Sequence, residues 1–119
     1  MFVWENRKYP FHIMDADTMQ VFDKAEKELW ASLSDYESTN AKDGKINAEG
    51  VKAECRIIDT FFRNIFGESC PGEMFGSRFN LAERTKAVKK LYNLRDSQLK
   101  EHNSRVEGLS RLVFPGDEK

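Results

Sequence analysis

The sequence has little cysteine, no excess of either charge and no long apolar run, and each shortage removes a class of protein. Two cysteines in 119 residues, Cys55 and Cys70, cannot build a disulfide framework, and in a reducing compartment both are expected as thiols. A net charge of −1 with 19 basic and 20 acidic residues is not the strongly basic balance of a typical nucleic-acid-binding domain. No apolar stretch reaches the roughly 20 residues of a membrane span, and the first residues lack the basic-then-apolar pattern of a secretory signal. A soluble, cytoplasmic chain is the expectation. The two histidines, His12 and His102, and the two cysteines show no metal-ligand spacing, so no metal or cofactor is expected.

What is present is charge and aromatic residue in quantity, 33% and 12%. At this length the chain fits one compact domain, residues 1–119. The opening "MFVWENRKYPFHIM" places the polar break Asn6-Arg7-Lys8 between two apolar runs and reads as a β-hairpin over 1–14. Pro10 fits an edge position or the first residue of the second strand. Asp17 with Gln20 three residues on reads as the capped start of a helix over 17–38, whose stripe is Phe22, Ala25, Leu29, Leu33 and Tyr36. After the polar linker "STNAKDGK", a broader stripe with Val51, Cys55, Ile58, Phe62 and Ile65 predicts the most buried helix, over 47–66. Asn80 and Glu83 cap a final long helix over 80–113, and Pro115-Gly116 stops it ahead of a tail, 114–119. The fold class is therefore mainly α with minor β: an N-terminal hairpin on three helices, the last one long.

The segment "NIFGESCPGEMFG" lies between the second and last of these helices. Gly67 ends a helix, Pro71 suits the first turn of a short one, and Gly76 releases the chain toward Asn80. Phe66 and Phe75 are expected to pin this corner to the core. Cys70 is a poor nucleophile candidate, because the neighbouring Glu68 and Glu73 raise a thiol pKa.

Other chemistry fares no better. "DADT" after an apolar strand resembles the start of an aspartate-nucleophile phosphatase, but Thr18 follows Asp15 by three residues where that pattern needs four. The stretch 39–50 mimics half of a calcium loop, yet Gly50 stands where the bidentate glutamate belongs. Arg84, Lys86, Lys89, Lys90 and Arg95 could form a basic helix face, although Glu83 and Asp96 interleave with them. No enzymatic activity is expected.

Two features leave apolar surface to spare. Alternation lets the hairpin bury only one side of Phe2, Val3, Trp4, Tyr9, Phe11 and Ile13. The final helix also outruns the two shorter ones, and its line Leu81, Thr85, Val88, Tyr92, Arg95, Leu99, His102, Val106, Leu109 and Val113 keeps a strict 4-3 spacing. Tyr92, Leu99, Val106 and Leu109 are the residues expected to meet a partner or a second copy.

The order of landmarks resembles a known family. Phe11, Ile13 and Asp15 to Thr18, then Phe61, Phe62 and Phe66-Gly67-Glu68, then Phe75-Gly76 and Asn80 are similar to small tail-assembly-chaperone proteins of siphophages and prophages of Gram-positive bacteria. That resemblance covers about residues 9–95, with Cys70-Pro71-Gly72 departing from the Thr/Ala-rich stretch expected there. It implies a non-enzymatic protein of the host cytoplasm that binds the tape-measure protein, self-associates during tail assembly and is absent from the finished particle. The alternative is a small nucleic-acid-binding regulator working through the basic face of the last helix.

Overall fold

A computed structural model describes residues 1–40 and 46–113. Residues 41–45, which belong to the polar linker and to the calcium-loop mimic, and the tail 114–119 with Pro115-Gly116 lie outside them. Among the described residues the architecture is a two-stranded antiparallel hairpin and four helices: β1 Phe2–Trp4, β2 Arg7–Tyr9, α1 Ala16–Asn40, α2 Ala48–Phe66, α3 Cys70–Phe75 and α4 Leu81–Val113. The mainly α class with a long final helix holds, and the short helix α3 makes a fourth.

The hairpin is tighter than its composition implies. Phe2 pairs with Tyr9, Val3 with Lys8 and Trp4 with Arg7, so the loop is only Glu5-Asn6 and Arg7 and Lys8 belong to β2. Glu5 takes the left-handed backbone this two-residue loop demands, at φ 52°. Pro10 follows β2, and without an amide it cannot extend the ladder. Phe11 and Ile13 are thereby freed from strand alternation. Gln98 of α4 takes the place of a strand: its Oε1 accepts from Ile13 N at 2.8 Å and its Nε2 donates to Phe11 O at 2.9 Å. Phe2, Trp4, Tyr9, Phe11 and Ile13 are all buried, so the expected surplus of apolar hairpin surface does not exist.

Helix starts follow local hydrogen-bond supply. The cap of α1 is Asp15 in place of Asp17, its Oδ1 accepting from the amides of Asp17 at 3.0 Å and Thr18 at 3.4 Å. A cap serves the amides two and three residues ahead, and the helix already begins at Ala16. Asn47 caps α2 through Gly50 N at 2.9 Å, and Asn80 caps α4 through Glu83 N at 3.0 Å. Gly67 ends α2 at φ 109°. The stripes of α1 and α2 face one aromatic core in which Phe66 stacks on Phe2 at 5.5 Å and Phe22 meets Phe61 edge-on at 6.2 Å. Leucine and alanine of α4, Leu91 and Ala87, close it without exposure.

The molecule measures 63 × 33 × 21 Å with a radius of gyration of 18.4 Å. A compact domain of this length would have about 13–14 Å. At 1.5 Å per residue the 33 residues of α4 span about 50 Å, and that rod accounts for the elongation.

Candidate interaction surfaces

The corner between α2 and α4 is packed from both sides. Phe75 lies 5.8 Å from both Trp4 and Phe62, and Phe66 touches the rings of Phe2, Tyr9, Phe11 and Phe62. Gly67 and Gly76 both adopt positive φ, 109° and 64°, where a side chain would be strained. Cys70 is fully buried with its Sγ 3.4 Å from Met74 Sδ, and burial pushes its thiol up to about 11. Cys55 is also fully buried, and burial raises its pKa as well. Tyr9 donates to Glu73 at 2.8 Å; burial first and this bond second raise the tyrosine, while the bond lowers the exposed carboxylate.

The basic helix face is divided by the fold. Arg84 is 2% exposed and forms a two-pronged bridge to Asp59, Nε–Oδ1 at 2.7 Å and Nη2–Oδ2 at 3.3 Å. Its third nitrogen donates to the carbonyls of Arg78 and Asn80, and its plane lies 4.6 Å from the Phe75 ring. A guanidinium is the one cation whose fork and flat face can satisfy all these partners together. Arg95 pairs with Glu26 and Asp96. Lys86, Lys89 and Lys90 remain exposed.

The 4-3 line of α4 divides as well. Its most buried positions are Arg84, Ala87, Leu91 and Gln98, one residue before the expected line at several places, because the hairpin and α2 pull the helix round to accept Arg84 and Gln98. Tyr92 and Leu99 are half-buried against the core. The Tyr92 hydroxyl donates to Glu26 at 2.7 Å and accepts from Trp30 Nε1 at 3.1 Å; burial, then the Glu26 bond, lift it to about 12. Val106 and Leu109 stand clear of the body, 45% and 59% exposed, with Leu112 beside them. From Lys100 to Leu112 only His102 is even partly covered. This overhang contains Asn103, Ser104, Gly108 and Ser110, poor helix formers, and is helical as an extension of a rod already nucleated.

A second surface was not visible in the sequence. Along α1 and α2, three shallow depressions of about 350, 330 and 160 Å³ adjoin through shared lining residues as one groove, which no residue of α4 lines. Val21, Ala25, Leu29, Ile57, Phe61 and Ile65 supply its apolar lining. Lys24, Glu28 and Arg56 stand along it, and Asn64 Nδ2 donates to Glu28 Oε2 at 3.2 Å. The one signal for it in α1 is Val21, an apolar residue one position off the main stripe, since Ala25 and Leu29 belong to the stripe itself.

The remaining candidates of the sequence are held in separate places. Asp15 is used as a helix cap, His12 Nδ1 accepts from Met14 N at 3.3 Å, and His102 lies on the overhang. Among the described residues no group of three His, Cys, Asp or Glu is placed to hold a metal ion. No helix among them is long and apolar enough to cross a membrane.

Neither the curated proteins nor the solved structures contain a match to this chain. A family model does match, over residues 5–112, from the hairpin loop almost to the end of α4. The chain belongs to the family of unknown function DUF6673.

Proposed function

We propose that this protein is a non-enzymatic assembly factor that holds an amphipathic helical partner against α4, in the manner of a phage tail-assembly chaperone acting on a tape-measure protein in the host cytoplasm. The observation that carries the reading is the overhang. Leu109 and Leu112 are 59% and 78% exposed on a helix that continues beyond its own core. A stripe this narrow, one or two apolar residues per turn, matches a partner helix better than a broad surface. Binding there would hide the partner's apolar face, the helix-packing mode of recognition. Tyr92 and Leu99, half-buried against the core, extend the same line into the body.

Co-expression with the tape-measure protein of the same source tests the idea. This chain should keep that protein soluble and co-purify with it, and Val106→Asp/Leu109→Asp should abolish both effects while leaving the fold intact. Failure of the wild-type chain to retain the tape-measure protein would refute the reading. A gel shift that persists near physiological salt would instead favour the nucleic-acid regulator, which would have to work through Lys86, Lys89 and Lys90.

A further inference from the structure

We infer that a second copy of this chain covers both apolar surfaces at once, the α4 overhang of each copy lying in the α1–α2 groove of the other. The overhang line from Leu99 to Leu112 amounts to two heptads. A coiled coil of two helices calls for about three or four, so so short a segment gains a stable seat by packing between two helices. The groove is such a seat, and its length fits. Its α1 wall runs from Asp17 to Ser32, about 22 Å, and in the register that the charges set, residues 100–109 lie along residues 23–32 of it, about 14 Å.

Charge order fits as well. From the groove mouth inward the charged lining residues are Asp17, Lys24, Glu28 and Arg56, and from the root of the overhang to its tip the charges are Lys100, Glu101, Arg105, Glu107 and Arg111, so the signs alternate along both. Lys24 and Glu28, like Glu101 and Arg105, are four residues apart on a helix, about 6 Å, so Lys24 can face Glu101 while Glu28 faces Arg105. The intramolecular Glu101–Arg105 contact is long, 3.9 Å, and more than half exposed, so it competes weakly. The mouth is also at the correct end. Pro10, Phe11, Asp17 and Thr18 line it, and Gln98 is bonded to Phe11 and Ile13 where α4 leaves the body. Two copies placed end to end therefore offer each overhang to the other's groove. The pairing rests on the overhang being an interface, as in the function above, and a partner helix there would displace the second copy; since the pairing requires no other protein, its test stands apart from the tape-measure experiment.

Light scattering after size exclusion should give the wild type twice the 13.8 kDa mass of one chain. Leu109→Asp on the overhang and Val21→Asp in the groove should each give a monomer with unchanged helical circular dichroism; both positions are exposed, at 59% and 42%. Mixed together, the two variants should recover a one-to-one complex, because one intact overhang still meets one intact groove. Lys24→Glu should weaken the dimer at least tenfold, and Glu101→Lys added to it should restore the affinity. A wild type that stays monomeric at several hundred micromolar would overturn the proposal. So would a Val21→Asp variant that remains dimeric, which would mean overhang pairing with overhang, or a variant mixture that forms no complex.

Discussion

Removing the carboxylate of Asp59 should cost this protein about 3 kcal/mol of stability. Arg84 is 2% exposed, and Asp59, at 15% by side chain, is its only carboxylate partner among the described residues. Asp59→Ala leaves a buried cation held by the Arg78 and Asn80 carbonyls and the Phe75 face, without a counter-charge. Breaking a buried pair from one side typically costs about 3–5 kcal/mol, and the surviving carbonyls place this case at the low end. For a chain of this length 1 kcal/mol moves Tm by roughly 4 °C, so thermal unfolding should fall by roughly 12 °C. Asp59→Leu/Arg84→Met removes both charges and should recover more than half of the loss, since no unpaired ion remains. Urea unfolding of the wild type, the single variant and the double variant decides it. A single variant within about 1 kcal/mol of the wild type, the ordinary value of a solvated surface pair, would refute the reasoning. So would a double variant no more stable than the single one.

Two further outcomes follow from local environments. Glu54 of α2 is buried, and burial first, then a hydrogen bond and charge from Glu37 of α1, raise its pKa above the usual carboxylate value near 4.5. Its protonated form is the one the fold favours, so its contribution is fully present below about pH 4.5 and is lost as pH rises through the elevated folded value. Glu54→Gln should therefore stabilise the protein at pH 7 and make no difference at pH 4, read by urea unfolding at both; equal effects at both would count against it. At the corner, Gly67→Ala should destabilise by about 1–2 kcal/mol because its φ is 109°, whereas Gly72→Ala inside α3 should stabilise by about 0.5–1 kcal/mol; nothing lies within 4 Å of either added Cβ. Thermal melts of the pair separate backbone strain from packing, and Tm shifts of the same sign would sink the argument.

The helices were legible because their signals are local. Periodic apolar residues, Asn47, Asn80 and Gly67 each act within a few residues of the element they bound, so α2 begins and ends, and α4 begins, where composition points. The α1 cap was displaced by two residues because "DADT" offers two aspartates and only geometry selects Asp15. The hairpin was legible as an element and misread in detail, since the ladder, and not polarity, assigns Arg7 and Lys8 to β2. The burial of Arg84 carries no local signal. Nothing next to it in sequence distinguishes it from Lys86 or Lys89, and its partner Asp59 is 25 residues away.

Propensity, capping and periodicity act over one or two turns, which is why the class of fold, the long final helix and the glycine-marked corner are written in the order of residues. Which apolar residues are spent inside and which are left over follows from packing between elements. Tyr92 and Leu99 sit on the same 4-3 line as Val106 and Leu109, yet the first two are half-buried against the core and the second two are exposed. Burial depends on what arrives from elsewhere in the chain, and the α1–α2 groove exists only because two helices pack side by side.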